Sequence, residues 1–350
     1  MDLTRKYNEI IGVVLKKPGF SSSAIHSEIS GRGGEQSLVT TKRILGELRD
    51  QGLLKVIGTG RSTAYEVSTK GRVFADIEAG SYCAIDPDKR YGSENYSFDL
   101  FTNFPIEVFS SEELNKLNLS TTEYKNRLAD TSEVIEKKEL ERLVIELSWK
   151  SSKIEGNTYT LLDTEKLILE DKEAKGHDRN EARMILNHKE AFSYVYKERD
   201  RFATLSRSNL EDLHSMIVRD MGVSSGLRKS GVGVLGSKYK PLDNVYQITD
   251  AVNNLSELVG RLSSPYAKAM VALLGISYIQ PFEDGNKRTA RIMANAVLLA
   301  HGRAPLSYRS VSEEDYRAAT LVFYEINSII PFKKIFIEQY EFAASNYAVR

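Results

Sequence analysis

Gln280-Pro281-Phe282-Glu283-Asp284-Gly285-Asn286-Lys287-Arg288-Thr289-Ala290-Arg291 separates two apolar stretches that read as helices, one ending at Tyr278 and one starting near Asn286. Such a loop is suited to holding an anion. Gly285 lets backbone amides converge, the helix start adds its positive dipole end, and Asn286 can donate a side-chain hydrogen bond. Arg288 and Arg291, three residues apart, point to a similar side and can share a multiply charged oligophosphate. Asp284, just ahead of the nest, is where a carboxylate would hold a Mg²⁺ that also bridges phosphates. The same residues also read as a turn and N-cap with surface arginines, and spacing alone leaves both readings open.

Outward from this loop, helical periodicity dominates. It predicts helices over 112–128, 132–154, 161–171, 179–199, 206–219, 247–262, 265–278, 287–301 and 332–346. No repeat of 20 to 50 residues and no low-complexity tract interrupts them. The interruption at 226–244, with Gly231, Gly233, Gly236 and Pro241 among Val232, Val234, Leu235 and Tyr239, reads as a short β-hairpin. The fold class expected is therefore mainly α, with a hairpin set into a helical domain.

The first 72 residues differ. Ile10, Val13, Val14 and Leu15 give a first helix an apolar face, and Pro18-Gly19 ends it. Ser21 to Ser23 can cap a second helix, and Ser37 or Thr40 a third that carries Lys42, Arg43 and Arg49. Leu53–Ile57 and Thr63–Val67 alternate around Gly58-Thr59-Gly60-Arg61, a hairpin signal with a basic tip. This order resembles a winged helix-turn-helix domain, which implies a third helix in a DNA major groove and a hairpin on the phosphates. Lys42, Arg43 and Arg61 are the candidate contacts to double-stranded DNA. Winged helices also serve as protein contact modules, and that reading stays open. Three domains are expected: 1–72, an aromatic-rich connector with a first helix over 73–128, and a helical domain over 129–350. In the connector, Tyr82, Tyr91, Tyr96, Phe98, Phe101 and Phe104 suggest a loop and hairpin that pack against a neighbouring domain.

Composition agrees with this division. The 48 basic and 48 acidic residues cancel overall, but residues 1–72 hold 12 Lys/Arg against 7 Asp/Glu, leaving 36 against 41 for the rest. Cys83 alone makes no internal disulfide, and five scattered histidines give no zinc spacing. No stretch approaches the roughly 20 apolar residues of a membrane span, and the N-terminus lacks a signal-peptide core, so a cytoplasmic protein is expected.

The 280–291 stretch closely resembles the signature of the Fic/Doc (Fido) family, His-Pro-Phe-x-Asp/Glu-Gly-Asn-Gly/Lys-Arg-x-x-Arg, at every position but the first. Gln280 stands where that family has its catalytic histidine. Upstream, Ser151-Ser152-Lys153-Ile154-Glu155-Gly156 resembles the family's inhibitory motif, Ser/Thr-x-x-x-Glu-Gly/Asn. There the glutamate pairs with the second signature arginine, here Arg291, and obstructs the γ-phosphate. Gly226-Leu227-Arg228 and Val234 to Pro241 resemble the family's flap, implying that Val234, Leu235 and Tyr239 align a target segment by strand addition. The matches cover roughly 130–305.

The resemblance implies transfer of AMP from ATP to a Ser, Thr or Tyr hydroxyl of a protein target or of the chain itself. Asp284 would position Mg²⁺, and Gly285, Asn286, Lys287, Arg288 and Arg291 would bind the nucleotide. An amide has no proton-accepting pKa near neutrality, so Gln280 can only orient a hydroxyl. Three origins suit it: a naturally degenerate nucleotide binder, an introduced substitution, or a different chemistry. Lys287 bears on the last, because Gly-Asn-Lys-Arg resembles the Doc branch, which transfers a phosphate. His188 and His214 read as structural residues of amphipathic helices. The rival expectation is a winged-helix DNA-binding regulator whose Fic-like part serves as a nucleotide sensor or homodimer platform.

Overall fold

The computed structural model describes residues 3–31, 33 and 36–349. Fifteen α-helices and one two-stranded sheet are assigned among them, so the chain is mainly helical, as the periodicity predicts. In chain order they are α1 (Arg5–Lys16), α2 (Ser22–Gly31), α3 (Leu38–Asp50), β1 (Leu54–Ile57), β2 (Ala64–Val67), α4 (Thr69–Val73), α5 (Ala79–Cys83) and α6 (Ser111–Ala129). There follow α7 (Glu133–Ile154), α8 (Leu161–Glu170), α9 (Arg179–Lys197), α10 (Arg207–Ile217), α11 (Val245–Arg261), α12 (Pro265–Ile279), α13 (Asn286–Ala300), α14 (Glu313–Ile326) and α15 (Ile330–Asn346). Among the described residues no helix is long and apolar enough to cross a membrane. The chain forms two compact units, one of residues 1–108, 234–240 and 318–333, the other of 109–233, 241–317 and 334–350.

In the first unit, Thr4 and Ser37 cap α1 and α3 through their side-chain oxygens. β1 and β2 pair antiparallel from Leu54↔Val67 to Ile57↔Ala64, with Arg61 exposed in the connecting turn. Ile10, Val14, Ile25, Ile29, Leu45 and Leu48 bury one face of each helix in a common core that also takes in Val322 and Ile326 of α14. The 76–110 segment holds no hairpin, contrary to expectation. Its backbone runs through α5 and turns, and Tyr82, Tyr96, Phe101 and Phe104 are buried individually where the turns place them. Buried Glu325 accepts from Tyr82 Oη at 2.7 Å and Arg90 Nη1 at 3.2 Å, so its charge is paired as burial requires.

The second unit is organised around α12 and α13. Between Tyr266 and Ile279 every residue of α12 except Lys268 is buried, and α13 is buried almost throughout. A helix apolar all round belongs in a core. Gly275 lets α11 approach closely, since a Cβ there would lie 2.4 Å from Leu255 Cδ1. The loop between α12 and α13 is thereby fixed at both ends.

The expected hairpin at 226–244 is also absent. The segment makes a turn, closed by Ser237 N–H on the Val234 carbonyl at 3.2 Å, and no strand pair. Gly231, Gly233 and Gly236 lose much backbone entropy in a strand, and Pro241 lacks a ladder donor.

Candidate active site

The α12–α13 loop takes two sharp turns, both through left-handed residues. Gln280 ends α12 at φ 50°, and Gly285 begins α13 at φ 78°. Glycine is required at 285 for space as well as conformation, because a Cβ would lie 2.9 Å from Val218 Cγ1 and 3.3 Å from Ile217 Cγ2. No side chain caps α13, so its first N–H groups are left without a side-chain acceptor, as an anion-binding helix start requires.

Asn286 braces the loop: its Oδ1 accepts from Phe282 N–H and its Nδ2 donates one hydrogen to the Phe282 carbonyl, each at 2.8 Å, which leaves the second amide hydrogen for a ligand. Gln280 is buried and turns its Nε2 back onto the Ser277 carbonyl at 2.6 Å. Arg228 holds the Gln280 carbonyl through Nε at 2.6 Å, and its backbone N–H meets the Pro281 carbonyl at 3.0 Å.

Arg288 and Arg291 lie on α13 but take different partners. Arg288 donates from Nη2 to Asp284 Oδ2 at 3.0 Å, and burial lowers its pKa against the pull of that carboxylate. Asp284 itself is 63% exposed. Arg291 is fully buried, with Nε on Ser151 Oγ at 2.7 Å and Nη2 on both the Ser151 carbonyl at 2.8 Å and Glu155 Oε1 at 2.9 Å. Ser132 caps α7 at the far end, and Glu155 terminates it, followed by Gly156 at φ 98°. Lys287 Nζ lies 3.6 Å from Glu155 Oε2, giving the carboxylate a second cation. Burial alone would raise the Glu155 pKa; the Arg291 guanidinium, with Lys287 and Arg288 behind it, holds it below the ordinary carboxylate value. Burial opposes the charge of Arg291, and Glu155 more than restores it.

This is a guanidinium and an ammonium gathered around one carboxylate, beside an uncapped helix start. Residues 204–298 match the Fic/DOC family. The chain is 26% identical over 172 residues to a protein adenylyltransferase Fic of Nematostella vectensis, a match covering 48% of this chain and 40% of that protein. It is 23% identical over 202 residues to protein adenylyltransferase fic-1 of Caenorhabditis elegans, covering 55% and 39%. The chain thus spans about two fifths of the length of these curated relatives. A solved structure of C. elegans Fic-1 superposes with a TM-score of 0.57 at 17% identity, covering 68% of this chain and 72% of that one. A Fic-domain signalling protein of Bacteroides thetaiotaomicron gives 0.54 at 18%, covering 66% and 94%. The fold is shared with both.

Glu155 and Ser151 lie upstream of the matched Fic residues and reach Arg291 through α7. Among the other expected residues, Val234 is half-buried and Leu235 is 98% exposed. Tyr239 is buried against Tyr324, with ring centroids 5.6 Å apart, and so anchors its segment rather than presenting a docking face. Lys42, Arg43 and Arg61 are exposed in the first unit, and Arg43 pairs with Glu47 along α3.

Two residues at the Fic loop carry more than the sequence suggested. Tyr316 lies under the Arg291 guanidinium, 5.6 Å from ring centroid to Cζ, and no spacing in the sequence marks it. His214, read as structural, stacks on Phe282 at 3.7 Å and 7° and bonds the Asp284 carbonyl at 3.0 Å. Its place on α10 beside Leu210, Leu213 and Ile217 marked it only as buried.

Proposed function

We propose that the chain is a Fic-type protein adenylyltransferase, restrained by Glu155 and slowed by Gln280, which moves AMP from ATP to a protein hydroxyl. The observation that carries this reading is the Glu155–Arg291 pair at 2.9 Å, placed on the helix that opens at Gly285. A buried guanidinium beside an uncapped helix start suits a terminal phosphate, and a carboxylate that occupies it competes with that phosphate. Two proteins similar in sequence are named adenylyltransferases, which supports ATP as substrate.

The residues divide the work. Lys287, Arg288 and Arg291 bind the phosphates, and the Gly285–Asn286 backbone faces the charge that develops on the transferred group. Asp284 offers an exposed carboxylate, and one carboxylate with substrate phosphates is a donor set that fits Mg²⁺; the ion would supply charge neutralisation of those phosphates. The target hydroxyl oxygen forms a bond to the α-phosphorus as the bond to pyrophosphate breaks. Gln280 orients the hydroxyl but takes no proton, which leaves to solvent or to pyrophosphate. General base catalysis is worth about 10²- to 10⁴-fold, so turnover is reduced by at least that order. A cytoplasmic setting, where ATP and target proteins coexist, suits this reading.

Calorimetry tests it. ATP with Mg²⁺ should bind, Arg291→Ala should weaken binding at least about tenfold, and Glu155→Gly should tighten it or change its enthalpy. Equal affinity in all three proteins would overturn the assignment.

A second reading concerns the first unit. The order α1–α2–α3–β1–β2, with Lys42, Arg43, Val39 and Arg61 exposed, favours a winged helix that binds double-stranded DNA, in a protein that acts as a regulator.

A further inference from the structure

His214 sits on the last turn of α10, and its Nε2 is 3.0 Å from the Asp284 carbonyl oxygen. A carbonyl oxygen only accepts, so Nε2 carries the ring proton and Nδ1 is the bare nitrogen. Nδ1 is buried without a hydrogen-bond partner. The imidazole therefore does not replace the missing base, since its one lone pair is buried away from solvent. What the ring can do is hold the loop.

The Asp284 carbonyl and the Gly285 N–H belong to one trans peptide and point in opposite directions. A donor on the α10 side that fixes the carbonyl turns the Gly285 N–H away from α10. Without it, Gly285 at φ 78° is the residue of the loop most free to let that peptide rotate. Several other polar backbone groups here are held: Asn286 takes both groups of Phe282, and Thr289 N–H meets the Gly285 carbonyl at 2.9 Å. The face-to-face stack on Phe282 fixes the plane of the imidazole and hence the direction of its N–H.

We propose that His214 is a positioning residue of the anion loop: its Nε2–H sets the Asp284–Gly285 peptide so that the Gly285 N–H faces the nucleotide phosphates. The inference rests on the ATP reading for its ligand, but the peptide orientation is a property of the free protein.

The test uses the full chain and two substitutions. His214→Phe keeps an aromatic ring on Phe282 and removes the donor; His214→Gln places an amide N–H near the Nε2 position and removes the ring. ATP affinity should fall about tenfold in His214→Phe and return to within about threefold of the parent in His214→Gln. In ligand-free protein carrying ¹⁵N glycine, the Gly285 amide resonance should shift in His214→Phe and stay near its parent position in His214→Gln. Parent-like ATP affinity together with a parent-like Gly285 resonance in His214→Phe would overturn the proposal. So would His214→Gln faring worse than His214→Phe, the outcome expected of a packing role. If the parent chain binds no ATP, the functional reading fails while the Gly285 resonance still decides the loop. Should His214→Phe not fold, the ¹⁵N shifts of His214 in the parent decide instead: a protonated Nε2 with bare Nδ1 is expected, and the opposite tautomer contradicts it.

Discussion

Arg291 is a buried charge that depends on its neighbours. Ser151 and Glu155 accept its protons and Tyr316 lies against its face, so removing Glu155 leaves a guanidinium without its counter-ion. On the proposed ATP reading an incoming phosphate would replace it, so that one contact would both stabilise the protein and restrain it. The two histidines near α13 act at the same scale. Burial pushes the His214 imidazole down to about 4, and burial with the charges of Arg291 and Arg288 holds His188 well below its ordinary value. Both are neutral in the folded protein. Below pH 6.5 the unfolded chain takes up protons that the folded state refuses, so their contribution is full above that pH and is lost as pH falls towards 4. For His214 alone the loss between pH 7 and 5 is about 2 kcal/mol. Urea unfolding should show a lower midpoint at pH 5 than at pH 7, with a shallower dependence in His214→Gln; a parent midpoint unchanged across this range would refute the neutral assignment.

At the scale of elements, the α12–α13 loop is the piece that sequence made most legible. Gly285 was readable as a conformational requirement, and the structure gives it left-handed φ and α10 pressed against its α-carbon. Gly285→Ala should therefore cost roughly 1–3 kcal/mol through strain at φ 78° and displacement of Val218. A fall in melting temperature together with loss of ATP binding is expected; an unchanged melting temperature would contradict the packing described. The helices were legible too, because α11 has the clean amphipathic stripe and α12 the all-apolar one. The hairpins expected at 76–110 and 226–244 do not form. Glycine, proline and alternating apolar residues mark turns and burial, but strand pairing needs a partner ladder that local sequence does not specify. The brace made by Asn286 was not legible for a related reason: its side chain bonds Phe282, four residues back, in a turn whose geometry depends on the αL residue between them. His214 and Tyr316 reach the loop from other helices, at sequence distances where no periodicity speaks.

For the whole molecule, the two compact units carry different chemistry. The first collects the exposed cations Lys42, Arg43 and Arg61; the second carries the α12–α13 loop and the Glu155–Arg291 pair. If the first unit binds DNA through those three, binding should weaken with salt at a log–log slope of about −3, and Lys42→Ala should reduce that slope by about one. Gel shifts with a random duplex at several salt concentrations check this, and absence of any shift at low salt would leave the DNA reading without support.

On the proposed function, the second unit is an adenylyltransferase held back by two residues, Glu155 and Gln280. Gln280→His supplies a proton acceptor, and Glu155→Gly frees Arg291; either change alone leaves the other defect in place, so their effects should combine more than additively. The most direct measurement is label transfer from ATP to protein in the four combinations of these two positions. α-Labelled ATP should mark the chain itself or a lysate protein strongly in the double variant and weakly in each single one. Label from γ-labelled ATP alone would replace AMP transfer by phosphate transfer, and no label from either, with ATP still bound, would contradict the enzyme reading.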